Sequence, residues 1–204
     1  MTQVVQNLGT FMTWVLVAVF VQNAVFTRGF GVSRLTKLME GSATDSLIFC
    51  ALLTLVQVIS APMSYVVNQL LNETQFWYRD YIRPLGLVIC ALIAFGIVLV
   101  VITLLRLPNR RDLIAVLPLA TLSCAVLGPM LISSSQNHSF VETIGFAAGS
   151  GLGYGLAVIM LSEGLRKMNS RKVPSLFRGL PINLLYIGIL ALAIFGLTGH
   201  MAIF

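Results

Sequence analysis

Apolar and polar residues in this chain are sorted into blocks. Six apolar runs stand out, at about 8–26, 47–70, 85–105, 113–133, 140–161 and 180–202, with short polar stretches between them. Each is close to the ~20 residues that carry a helix across a hydrocarbon core. No alternation of the kind a β-barrel wall requires is visible, and a backbone in lipid must satisfy its hydrogen bonds within its own segment. The pattern predicts an all-α integral membrane protein with six transmembrane helices.

Composition agrees. Of 204 residues, 57% are hydrophobic and 10% charged, against roughly a quarter charged in soluble domains. Too few polar groups are present to cover a water-facing surface. The formal net charge of +6 would suit nucleic acid, but its distribution points elsewhere. Arg28, Arg34 and Lys37 lie in the first connection, Arg106, Arg110 and Arg111 in the third, and Arg166, Lys167, Arg171, Lys172 and Arg178 in the fifth. The second connection holds only Arg79 and Arg83. Eleven basic residues against two on alternating loops is the positive-inside asymmetry. It predicts that both termini are extracytoplasmic, and the simple short loops suit a bacterial inner membrane. No Lys or Arg precedes the first block, so a cleaved signal peptide is not expected there.

The spans divide three and three around Leu107-Pro-Asn-Arg-Arg-Asp112, giving one polytopic domain of two halves, 1–106 and 107–204. With an odd number of spans in each, related halves would insert in opposite orientations. Asn23-Ala-Val-Phe26 matches Cys124-Ala-Val-Leu127, 101 positions on. Each leads into glycine-containing sequence, Thr27-Arg-Gly-Phe-Gly31 and Gly128-Pro129. Such interruptions at corresponding places predict broken first and fourth helices that meet near the membrane midplane. In the fifth span Gly145, Gly149 and Gly153 form one ridge, and Gly151 with Gly155 a second. Small residues let helix backbones approach closely in lipid. The ridges serve packing inside this bundle or a face for another subunit.

Candidate chemistry is sparse. All seven acids, Glu40, Asp45, Glu73, Asp80, Asp112, Glu142 and Glu163, fall in loops or near span ends, so no carboxylate is expected at the bilayer centre. His138 and Glu142, four residues apart, read as a solvated pair at the rim of span five. No phosphate-binding loop, zinc spacing or nucleophile elbow occurs, so the chain is at most a non-catalytic subunit of an enzyme complex. Cys50, Cys90 and Cys124 all lie within predicted spans. Cys50 and Cys90 read as small buried apolar residues. Cys124 stands between Pro118 and Gly128-Pro129 on an interrupted piece, where a thiolate is available to a soft metal.

The run Val116-Leu-Pro-Leu-Ala-Thr-Leu-Ser-Cys-Ala-Val-Leu-Gly128 resembles the signature of the six-helix membrane subunits of the Rnf and sodium-pumping Nqr redox complexes. So do Val173-Pro-Ser-Leu-Phe-Arg-Gly179 and Phe195-Gly-Leu-Thr-Gly199 and, more loosely, Gln22-Asn-Ala-Val-Phe26 and Gly31-Val-Ser-Arg34. The resemblance implies two inverted three-helix repeats with broken first and fourth helices. It also implies a related six-helix partner subunit of opposite orientation and further redox-complex subunits. It implies a two-iron, two-sulfur cluster at the midplane, held by thiolates shared between the two subunits, with Cys124 matching the second-half ligand. Electron relay through such a cluster is coupled to ion export. Outward termini suit the A-type Rnf and E-type Nqr branch. The family's first-half ligand stands in a Gly-Leu-Cys-Pro-Phe segment. Here the chain runs from Val25-Phe-Thr-Arg28 directly into Gly-Phe-Gly31. The expected function is therefore a membrane subunit of an ion-translocating electron transport complex, relaying electrons or scaffolding that relay. The alternative is a transporter or scaffold of the same fold without a redox centre.

Overall fold

A computed structural model describes residues 2–40, 43–73, 78–104, 110–168 and 179–198. The described residues are helical or in turns, with no strand. The elements are α1 (Thr2–Leu16), a π-helical turn (Val17–Val21), α2 (Val32–Glu40), α3 (Ala43–Glu73), α4 (Arg79–Leu104), α5 (Arg110–Thr121), α6 (Cys124–Ser135), α7 (Phe140–Met168) and α8 (Leu180–Thr198). Five spans are long and apolar enough to cross a membrane, and α5 with α6, bent by 41° at their junction, make a sixth. This is a multi-pass, all-α membrane protein.

Three boundaries differ from the sequence reading. The first span starts earlier and ends at Val21, so Asn23–Phe26 is a turn and not helix. The short helix α2 follows, where the apolar pattern gave no span because it is too polar to cross. In the fourth span the break falls at Leu122 and Ser123, before Cys124, while Gly128-Pro129 lies inside α6. Proline's clash and lost bond act on the turn preceding it, so a proline need not mark the break itself.

The centre of the bundle is α3 and α7, with α4, α5 and α6 against α3 and α1 against α7. Phe49, Leu53 and Val56 of α3, Leu117 of α5, Val126 of α6 and Tyr154 and Leu161 of α7 are buried together. By contrast α1 and α8 turn most of their surface outward, only 6% of each span being buried. Glycine lets α1 approach. A β-carbon at Gly145 would stand 2.9 Å from the Phe11 carbonyl oxygen, and one at Gly149 2.6 Å from that of Val15. Gly153 faces Val19 and Asn23 in the same way. This first ridge therefore packs within the chain. Gly151, of the second, packs on Thr54 and Gln57 of α3.

Candidate functional site at two facing helix breaks

Gln57 lies midway along α3 and Tyr154 midway along α7, and at that level the two interruptions meet. In the first, Gln22 N–H donates to the Val17 carbonyl (2.8 Å), closing the π-helical turn. Residues 22–31 then leave the helical path. Backbone groups freed inside a membrane need partners, and Asn23 supplies several. Its Oδ1 accepts from the N–H groups of Val25 (2.9 Å) and Phe26 (3.2 Å). Its Nδ2 donates to the carbonyls of Val19 (2.8 Å) and, across on α7, Gly153 (3.1 Å). The turn closes at Gly31, whose φ of +73° suits glycine. A β-carbon there would lie 2.9 Å from the Tyr154 ring. The Tyr154 hydroxyl donates to the Gly31 carbonyl (3.3 Å).

In the second break Ser123 is extended (ψ 148°). Its hydroxyl donates back to the Ala120 carbonyl (2.8 Å), leaving the start of α6 without a side-chain cap. Cys124 is the first residue of α6 and is exposed. Five residues on, Pro129 has no N–H to offer the Ala125 carbonyl. Gln57 Nε2 of α3 donates to that oxygen instead, at 2.6 Å. The breaks touch through Phe30, whose ring lies over Gly128. Beside them opens a cavity of about 340 Å³, lined by Gly29, Gly31, Ser33, Arg34, Leu122 and Cys124 among others. The Arg34 guanidinium stands 5.6 Å from the Phe49 ring, a cation–π approach. Its Nε finds no hydrogen-bond partner among the described residues.

The structure thus places Cys124 beside the first-half turn, as the sequence repeat anticipated. Cys50 and Cys90 are buried in the helix core. The His138–Glu142 pair is not a solvated rim pair. His138 is 6% exposed, its ring centroid 4.2 Å from that of Trp14 and 5.5 Å from that of Phe146. Burial holds its pKa below the ordinary 6.5, with Glu142 pulling weakly the other way. Glu142 Oε2 accepts from Ser139 N–H (2.9 Å), capping the start of α7. Gln57 and Tyr154 went unnoticed in the sequence, and Asn23 and Arg34 entered it only through the repeat, the charge count and the resemblance. The available signal was an amide in or beside an apolar run, since such a group is costly without a partner. Residues 173–178, Gly199 and His200, and most of the basic side chains behind the charge asymmetry, lie outside what the structure describes.

A two-iron, two-sulfur cluster takes four ligands. At the two breaks this chain presents one thiol, Cys124. Where the resemblance implies a second, the turn carries Gly29, Phe30 and Gly31, and Phe30 is packed onto Gly128. These residues do not fit half of a four-thiolate site.

Interrupted helices meeting halfway along the long spans define a polytopic membrane protein of the broken-helix class, with one thiol at the junction. Residues 11–201 match the family model described as Rnf-Nqr subunit, membrane protein. The chain belongs to that family. It is 29% identical over 182 residues to the A-type subunit of the ion-translocating oxidoreductase complex of Syntrophotalea carbinolica, covering 89% of this chain and 93% of the relative. It is 30% identical over 192 residues to the A-type subunit of the Na(+)-translocating ferredoxin:NAD(+) oxidoreductase complex of Acetobacterium woodii, with the same coverage. The corresponding protein of Shewanella sediminis, again the A-type subunit of an ion-translocating oxidoreductase complex, is 34% identical over 148 residues, 72% of this chain and 75% of the relative.

Proposed function

We propose that this chain is the A-type membrane subunit of a bacterial ion-translocating oxidoreductase complex. In this reading it lies in the inner membrane with both termini extracytoplasmic, beside a related six-helix subunit of opposite orientation. The observation that carries the reading is the pair of facing breaks, in contact through Phe30 and tied to α7 and α3 by Asn23 and Gln57, within a chain similar along most of its length to A-type subunits. The asymmetry of basic residues supports the orientation. With a single thiol at the junction, the role proposed is structural and ion-handling. A second reading, in which Cys124 is one ligand of a centre completed by other chains, is favoured by its exposure at the start of α6.

The test is anaerobic purification of the tagged chain from its native membrane, followed by assay of iron and acid-labile sulfide in native and Cys124→Ser material. Co-purification of flavin-binding or ferredoxin-like subunits is the expected result. A chain that purifies alone overturns the proposal. Equal iron in the two preparations fits the structural role, and loss of iron in Cys124→Ser establishes the second reading.

A further inference from the structure

The inner face of α3 carries a file of polar residues that begins at Gln57, beside the breaks, and runs on beyond them. Gln57, Ser60, Ser64 and Asn68 recur at helical spacing and are all buried. Eleven residues of helix make this file about 16 Å long, roughly half a hydrocarbon core. It is matched across the interface by Ser133 and Ser134 of α6 and by Thr143 and Ser150 of α7, also buried. At its inner end Gln57 Nε2 approaches Ser150 Oγ (3.5 Å). At its outer end Ser64, Asn68, Ser133, Ser134, Thr143 and His138 line one small cavity with Tyr65.

The directions of the hydrogen bonds decide what this lining can hold. Ser60 and Ser64 donate to the carbonyls of Gln57 (3.0 Å) and Ala61 (2.8 Å). Ser134 donates to Asn68 Oδ1 (2.8 Å). Thr143 donates to the Ser139 carbonyl (2.9 Å) and so accepts from Ser133 (3.1 Å). Every one of these hydroxyl hydrogens is engaged by a protein oxygen, and lone pairs are left over. At the two ends, Gln57 Oε1 and His138 Nδ1 are buried without a partner among the described residues, on side chains 1% and 6% exposed. Polar groups serving only to join helices would satisfy one another. This file ends instead in a bare amide oxygen at Gln57 and a bare ring nitrogen at His138, which accepts in the tautomer with its proton on Nε2.

The amide donors are directed to protein oxygens as well, Gln57 Nε2 to Ala125 and Ser150 and Asn68 Nδ2 to Asn137 Oδ1 (3.5 Å). A track left with spare acceptors and no carboxylate in its lining suits a small monovalent cation. A divalent ion would call for carboxylates, and an anion for donors. The outer cavity is too narrow to admit a water molecule, whereas a dehydrated Na⁺ is smaller than water. Neutral oxygens can replace an ion's hydration shell while holding it loosely enough to leave. We infer that the file from Gln57 to His138 is an alkali-cation half-path, closed in this structure, between the junction of the breaks and the membrane surface. The inference rests on the complex membership proposed above and assigns the ion-handling to these residues.

The experiment uses the assembled complex in membrane vesicles. Redox-driven ²²Na⁺ uptake is measured for the native chain, for Ser133→Ala with Thr143→Val, for the conservative Thr143→Ser, and for lipid-facing Leu131→Ala. The expected result is loss of uptake by about tenfold or more, the scale of one ligand's contribution, in the apolar pair alone. Unchanged uptake in that pair overturns the inference. Absence of redox-driven uptake in the native complex overturns the proposed function instead. If the apolar pair fails to assemble, cysteines introduced as Ser64→Cys, Ser133→Cys and Leu131→Cys decide, measured over the background of the native cysteines. Ag⁺, a thiol-reactive monovalent cation close to Na⁺ in size, should modify positions 64 and 133 faster than 131, because it can follow the same track, and sodium should slow the reaction. Labelling no faster than at 131, or indifferent to sodium, overturns the inference.

Discussion

The Phe30 ring rests on Gly128, in the space that any side chain at position 128 would fill. One broken segment is thereby seated on the other. Gly128→Val is expected to destabilise the protein by about 1–3 kcal/mol, the usual cost of overpacking. In a Phe30→Ala background the same change should cost less. Thermal unfolding of the detergent-solubilised single and double variants checks this. Equal shifts in both backgrounds would show that the two residues are not coupled.

The bond from Gln57 to the Ala125 carbonyl replaces the one that Pro129 cannot make. Gln57→Leu should therefore cost about 1–3 kcal/mol, the penalty for a buried acceptor left unsatisfied. Pro129→Ala returns an N–H four residues after Ala125, so Gln57→Leu should be milder in that background. Comparing unfolding midpoints in the four-member cycle measures the coupling. A cycle that closes additively would mean that Gln57 stabilises α6 in some other way.

His138 gives the fold a pH dependence on the acid side. Its folded-state pKa is depressed by burial, so the unfolded chain binds the proton more readily. Stability should be complete above about pH 6.5, the unfolded imidazole value, and fall as the pH drops from there toward the lower folded value. His138→Gln should flatten that part of the curve. Melting temperatures taken between pH 5 and 8 on both proteins test it, and identical slopes would count against His138 as the source.

The three cysteines should separate by reactivity. Cys124 is exposed and Cys50 and Cys90 are buried. In the isolated, folded chain a maleimide is expected to label Cys124 first, and the other two only after unfolding. Mass spectrometry of the labelled peptides reads the order, and early labelling of Cys50 or Cys90 would contradict the packing described.

The apolar blocks made the spans legible, because a helix in lipid has few ways to hide a polar residue. The repeat around Cys124 gave the level of the junction for the same reason, since glycine and proline interrupt an apolar run visibly. A break in the first helix was legible from Thr27 to Gly31, but its start at Gln22 and Asn23 was not. Residues 23–26 continue the apolar run, and the backbone leaves the helix there because the Asn23 side chain takes up the freed groups. The π-helical turn Val17–Val21 is likewise made of ordinary helix and strand formers. Gln57 and His138 were visible as letters but not as a pair, because what joins them is the packing of α3 against α6 and α7. His138 reads as a surface residue in sequence and is buried by Trp14, which lies 124 positions away on α1.

The glycine contact between α1 and α7 also bears on the order in which the chain is assembled. Asn23 and its partner Gly153 are 130 residues apart. At roughly 5–20 residues per second, the first helix waits on the order of 6–26 s after synthesis before the surface that accepts it exists. During that interval α1 is held in the bilayer by its own hydrophobicity alone, and α3, α4 and the α5–α6 pair enter ahead of its docking. A segment made well before its partner is thus among the last to be locked. A variant such as Gly149→Val would then show itself as a nascent chain whose first helix stays open to degradation, before any change in the finished protein could be seen.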